Sequence, residues 1–102
     1  MNCKPGDCGW RYEKCTIVEN KWFDICLLKI GHLGSINAHT DSGRQLRINI
    51  DLPTKHTGGE FKCRRAFINR WGISIYRADK HQHEFKIVSS GKKYTISIGF
   101  HY

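Results

Sequence analysis

Gln45-Leu46-Arg47-Ile48-Asn49-Ile50-Asp51-Leu52 decides the fold class. Leu46, Ile48, Ile50 and Leu52 occupy every second position, and polar residues stand between them. Successive side chains of a strand point to opposite faces, so this period gathers all four aliphatics on one side; a helix would scatter them. The alternation returns near the other end, where Tyr94, Ile96, Ile98 and Phe100 alternate with Thr95, Ser97, Gly99 and His101. The expectation is that the aliphatic side is buried, with Leu46, Ile48, Ile50, Ile96 and Ile98 in the core.

Further strands are expected at Thr16 to Val18, Trp22 to Ile30, Ser35 to Thr40, Gly72 to Ala78 and Glu84 to Val88. Turn-forming residues separate them: Lys4-Pro5-Gly6-Asp7, Gly31-His32-Leu33-Gly34, Asp79-Lys80 and Ser89-Ser90-Gly91-Lys92. Asp41-Ser42-Gly43 suits a short hairpin, and Thr54 to Gly59 reads as the longest loop. Short strands at a spacing of about ten residues predict a mainly β chain, a small antiparallel barrel or sandwich, in a single domain over 1–102. One segment, 60–71, reads two ways: as a helix, narrowly favoured, Cys63, Phe67, Ile68 and Trp71 would share one side with Gly72 ending it, and as a strand Phe61, Cys63, Phe67 and Trp71 would share one side, with Arg65 and Asn69 interrupting.

The first half of the chain resembles Tudor-like and other SH3-like barrels. Pro5-Gly6-Asp7, then Lys21-Trp22-Phe23-Asp24-Ile25-Cys26, then Asn37 to Ile50 follow in the order such barrels use for an opening turn, an aromatic strand and a strand–turn–strand. The resemblance implies a small binding barrel. The same Pro-Gly-Asp opening is seen in toxins of the MazF type, but their Arg-Pro strand motif and C-terminal helix have no counterpart here.

Charge is distributed unevenly. Up to Glu60, eight Lys/Arg face seven Asp/Glu; from Phe61 onward nine face two, Asp79 and Glu84. Seven of the +8 formal charges therefore lie in the last two-fifths, interleaved with aromatic residues. Lys62, Arg64, Arg65 and Arg70 cluster, and Arg77, Lys80, Lys86, Lys92 and Lys93 follow. Phosphates bind Lys and Arg regardless of sequence, and unpaired bases stack on aromatic rings. The functional expectation is a non-enzymatic binding module that engages nucleic acid, RNA or DNA, through Lys62, Arg64, Arg65, Arg70, Arg77, Lys86, Lys92 and Lys93. The alternative is a small phage or mobile-element effector that inhibits a host or defence protein by meeting an acidic surface.

No catalytic residue, metal ligand or cofactor is assigned. Cys3, Cys8 and Cys15 are spaced too loosely for a zinc knuckle and read as unbound thiols; Cys26 and Cys63 read as small core residues. His81-Gln82-His83 places two imidazoles on one strand face, but the Glu that a cupin metal motif needs is replaced by Ile87 and Val88, so they read as a surface pair. His39-Thr40 and His56-Thr57 are assigned no role. Thr57-Gly58-Gly59-Glu60 lacks the Lys of a phosphate loop. No apolar run approaches the roughly 20 residues of a membrane span, nor does Met1 to Asp7 resemble a signal peptide. A cytoplasmic setting, or host-cell cytoplasm or nucleus for a viral chain, is expected, with no membrane partner.

Overall fold

The computed structural model describes residues 2–6, 9–41 and 43–101, without the side chain of Asn2. The strands are β1 (Asn2–Pro5), β2 (Gly9–Glu19), β3 (Phe23–His39), β4 (Gln45–Asp51), β5 (His56–Gly58) and β6 (Phe61–Cys63), then β7 (Ile68–Arg70), β8 (Ile73–Arg77), β9 (His83–Phe85), β10 (Val88–Gly91) and β11 (Lys93–His101). All pairings are antiparallel, and the main sheet runs β1-β2-β3-β11-β4-β8-β7. β9 pairs with β3 and carries β6, while β5 and β10 form a separate ribbon. The expected mainly β barrel or sandwich is what the chain forms, and the described residues contain no helix.

β3 closes the barrel. Its first half lies between β2 and β11, and its last residues pair with β9. The expected break at Gly31 to Gly34 is therefore a bend inside one strand, corrected from a turn. Leu33 there has φ 64°, and a Cβ on Gly34 would come within 2.5 Å of the Arg11 carbonyl of β2, so only glycine permits the approach. The expected hairpin at Asp41-Ser42-Gly43 is also corrected, although Ser42 lies outside the described residues. β3 and β4 are not neighbours; β11 runs between them, so this connection crosses the barrel's end.

The segment 60–71 is not a helix. Phe61 and Cys63 alternate inward on β6, Arg64 and Arg65 turn the chain, and β7 leads into a tight hairpin with β8. Trp71 (φ 55°) and Gly72 (φ 74°) form that hairpin's tip, and two consecutive left-handed residues are incompatible with a helix end running to Trp71. Phe61 joins Ile30, Ile36, Cys63, Tyr76, Ala78, Phe85 and Val88 in the apolar core.

The largest departure concerns the faces of β4 and β11. The period is as expected and the side is reversed. Gln45, Arg47, Asn49, Thr95 and Ser97 are buried, whereas Ile50 and Phe100 remain 38% and 43% exposed and Leu46, Ile48, Ile96 and Ile98 are only partly covered. Cross-strand register orders the outward residues in rows. Ile25, Ile98, Ile48, Ile75 and Ile68 form the middle row across β3, β11, β4, β8 and β7. Leu27, Ile96, Ile50 and Ile73 form a second row, and Phe23, Phe100 and Leu46 a third.

Inside, polarity is tolerated because every group is paired. Arg47 bonds Asp24, the Gln45 side chain (2.9 Å) and Ser97 Oγ (2.9 Å); Ser97 donates to Asn49 Oδ1 (2.7 Å), and Asn49 Nδ2 donates to the Tyr76 hydroxyl (3.1 Å). No buried side-chain polar atom among the described residues lacks a partner.

Cys26 and Cys63 are buried free thiols. Cys3 and Cys15 sit directly opposite on β1 and β2 and are joined as a disulfide, which corrects their reading as unbound thiols; Cys8 lies outside the described residues. No helix among the described residues is long and apolar enough to cross a membrane.

Candidate metal centre

His39 ends β3 and His83 begins β9, and the two face each other as a register pair. The ladder is irregular between Ile36 and His39, which re-aims the last turn of β3. Asp41 follows two residues later and is fixed by its backbone, whose N–H donates to the Ala78 carbonyl (2.8 Å). Its carboxylate reaches both imidazoles: His39 Nε2 lies 3.4 Å from Oδ1 and His83 Nε2 3.5 Å from Oδ2. The three ligand-type atoms all fall within 4.8 Å of one another.

The other ring nitrogens set the chemistry of this cluster. His39 Nδ1 is 2.6 Å from the Asn37 carbonyl, and His83 Nδ1 is 2.9 Å from the His81 carbonyl. A carbonyl only accepts, so each Nδ1 carries a proton, which leaves the Nε2 turned toward Asp41 as the ring nitrogen able to act as a ligand. Two Nε2 atoms and a carboxylate then face one point, where positive charge is accommodated, as protons on the rings or as a cation. Two imidazolium rings with centroids 4.5 Å apart, one of them buried, would repel; a single divalent cation satisfies all three groups. Burial alone would raise the Asp41 pKa. Hydrogen bonds from His39 and His83, and their charge when protonated, outweigh it and hold the carboxyl well below its usual range.

One wall is aromatic and one polar. Tyr76 packs on His83 at 4.7 Å between ring centroids, and Phe61 contacts Tyr76 (4.9 Å) and Phe85 (5.0 Å). Burial pushes the Tyr76 hydroxyl's pKa upward, so it stays a neutral phenol. A cavity of about 140 Å³ adjoins the cluster, with Leu28, Ile36 and Phe85 on one side and Arg47 and Ser97 on the other. A larger cleft of about 510 Å³ borders Asp41 and Arg47 as well and leads outward past Lys14 and Glu19. Cys3, Glu13 and Cys15 also lie together, but the two sulfurs are bonded to each other and are not available as ligands.

The basic residues singled out from the sequence differ in their surroundings. Lys62, Arg64, Arg65, Arg70 and Lys92 are exposed. Arg77 bonds Asp79 (2.8 Å), and Lys86 bonds Glu84 (3.0 Å). Lys93 is buried, donating to the Gly59 carbonyl (2.6 Å) and reaching Asp51 (3.2 Å). His83, expected at the surface, is 5% exposed and central to the cluster, and His39, given no role, is its partner. The local signal was His39-Thr40-Asp41, a His-x-Asp pair whose second histidine lies far along the chain.

The arrangement is a small antiparallel β barrel enclosing a two-histidine, one-carboxylate cluster. No family model matches the sequence, and no curated protein resembles it. Among solved structures, the chain is similar to a 2OG-Fe(II) oxygenase-family oxidoreductase of Burkholderia pseudomallei (TM-score 0.62, 18% identity, covering 76% of this chain and 41% of that one). It is similar to a cupin-2 domain of Rhodospirillum rubrum (0.66, 8%, 95% and 64%) and to an RmlC-like cupin of Desulfovibrio desulfuricans (0.60, 17%, 85% and 81%). A chain in the crystal structure of Rhodobacter sphaeroides SigE in complex with the anti-sigma ChrR also matches (0.59, 12%, 98% and 48%). The chain spans well under half of the first of these and under two thirds of the second.

These likenesses overturn the functional expectations from the sequence. They lie among cupins and an oxygenase-family protein rather than among nucleic-acid modules, so neither the nucleic-acid binder nor the phage effector stands, nor does the assignment as a non-enzyme. Three of the nine late cations, Arg77, Lys86 and Lys93, are also paired within the chain, with Asp79, Glu84 and Asp51. One of the matching structures is a complex of two proteins.

Proposed function

We propose that the chain is a metal-binding cupin-type domain of the oxidoreductase class, with His39, Asp41 and His83 as the ligands of one divalent cation. The observation that carries this is the convergence of three electron-pair donors whose two imidazoles are each anchored through Nδ1 to a backbone carbonyl. Such second-sphere bonds fix the tautomer and ring orientation that a metal ligand needs. Two histidines and one carboxylate suit Fe(II) among the first-row cations and leave coordination positions open to a substrate. When bound, the metal supplies Lewis-acid or redox chemistry at those positions.

The protein's own residues do the rest. Tyr76 and Phe85 line an apolar wall, and Arg47, ion-paired with Asp24 and bonded to Gln45 and Ser97, gives the cavity a fixed polar wall. A cavity of about 140 Å³ admits a small molecule rather than a polymer. The test is anaerobic titration with Fe(II), and with Co(II) as a spectroscopic stand-in. One equivalent should bind, with Co(II) ligand-field bands that vanish in His83→Ala and in Asp41→Ala. Absence of uptake by the unmodified chain, or uptake undiminished in both variants, overturns the reading.

A further inference from the structure

We infer that Trp71 is the stacking platform of a binding site for a neutral saccharide, set on the β7–β8 hairpin apart from the metal cluster. Arg70 pairs with Ile73, so Trp71 and Gly72 make up the whole of a two-residue turn, and both are left-handed, at φ 55° and 74°. That is the geometry of a type I′ turn, whose favoured sequence is Asn-Gly. Gly72 suits it: its carbonyl accepts from the Asp51 N–H (2.8 Å), and an added Cβ would stand 3.3 Å from that of Asp51. Trp71 does not, because a bulky side chain is disfavoured in this region and asparagine would serve the turn better. Packing does not account for the residue either, since it is 87% exposed. A strained, exposed aromatic that serves neither the turn nor the core points to a ligand.

Trp71 borders a pocket of about 280 Å³ that also takes in Asp51, Glu60, Asn69, Arg70 and Lys93. Among the described residues it shares no lining residue with the cavity at the metal cluster. Its volume falls just below the roughly 300 to 1,000 Å³ of drug-sized ligand pockets, which suits one sugar ring rather than a folded chain. The Arg70 guanidinium lies over the Trp71 ring at 5.1 Å and fixes its orientation. Two carboxylates and two cations cancel in this lining, so it exerts no net pull on a phosphate or sulfate. Lys93 and Asp51 are moreover taken up with each other (3.2 Å), and His56, the remaining titratable group, is bonded to Thr54 (3.1 Å). Exposed Glu60 and Arg70 are left to offer an acceptor pair and a donor fork. A saccharide answers both, because its hydroxyls donate as well as accept, and its C–H face is apolar enough to stack on an indole.

Heteronuclear NMR of the full chain, titrated with maltohexaose, cellohexaose and chitohexaose, tests this through the indole N–H signals. At least one of these sugars should shift the Trp71 indole, identified by its loss in Trp71→Asn, and saturate it at about millimolar concentration. The indoles of Trp10 and Trp22, also exposed, should stay still and serve as internal controls. Trp71→Asn should bind none of the three yet melt at or above the temperature of the unmodified chain, because it installs the favoured turn pair. Glu60→Gln leaves the turn untouched and should weaken binding about fivefold or more. The absence of any indole shift, equal shifts at all three tryptophans, binding retained in Trp71→Asn, or a Trp71→Asn chain that melts lower overturns the proposal. A shift produced by a heparin hexasaccharide and by none of the neutral sugars overturns it equally, since the ligand would then be an anion.

Discussion

The two faces of β4 and β11 carry opposite chemistry on the same strands. Inward, Gln45, Arg47, Asn49, Thr95 and Ser97 build a hydrogen-bonded layer that reaches Tyr76 beside the metal cluster. Outward, Leu46, Ile48, Ile50, Ile96, Ile98 and Phe100 stand partly in water. Burying apolar area at about 25 cal/mol per Å² would favour the reverse orientation in a sheet with a dry core. The interior here surrounds a cavity beside paired charges, so its polar lining is satisfied by design of the network, and the unsatisfied hydrophobic drive is left on the outside. In a barrel that houses a site, period and burial are separate questions.

Removing Arg47 should break this contrast most severely. It is 6% exposed and bonded to Asp24, which would be left buried with His101 (2.7 Å) as a remaining side-chain partner. Breaking a buried pair from one side costs about 3 to 5 kcal/mol. Arg47→Met should lose about 3 kcal/mol in urea unfolding, with His101 retaining part of the compensation. A loss under about 1 kcal/mol would mean that the inner layer is not what holds β4 in register.

A matched pair on adjacent residues sharpens the comparison. Asn49→Ala removes bonds to both Ser97 and Tyr76 in the buried layer and should cost about 2 kcal/mol. Ile48→Thr beside it should cost under about 1 kcal/mol. The reversed order would restore the arrangement expected from the sequence alone.

The alternation was legible because it is local: Leu46 to Leu52 and Tyr94 to Phe100 fix strands without reference to anything else. Which side faces inward depends on Asp24, Arg47 and Ser97 meeting across three strands, and no window of sequence contains that. The segment 60–71 misled because the spacing of Cys63, Phe67 and Trp71 fits a helix, while the left-handed tip at Trp71 and Gly72 carries no strong residue signature at Trp71. The cluster was half legible. His39-x-Asp41 is visible, but His83 becomes its partner only through the β3·β9 ladder, and its burial follows from Phe61 and Tyr76 packing around it.

The smallest expected effect lies where the two faces meet. Arg77 is the cross-strand neighbour of Leu46 on the outer side, and its guanidinium donates to both Asp79 oxygens (3.0 and 2.8 Å). Asp79 Oδ1 also accepts from the backbone N–H of Gln45, first residue of the inner layer (3.3 Å). The Arg77 bonds, chiefly, hold the Asp79 carboxyl down at about 2, against a slight opposing effect of desolvation. A carboxyl depressed in the folded state contributes stability above its unfolded pKa and loses that contribution as pH falls through the folded value. The window here runs from about pH 4 down to about pH 2. Asp79→Asn should therefore melt below the unmodified chain at pH 6, and the gap between the two melting temperatures should close as pH approaches 2. A gap that stays constant across that window would show that the bond to Gln45, rather than the charge on Asp79, is what ties the outer strand edge to the inner layer.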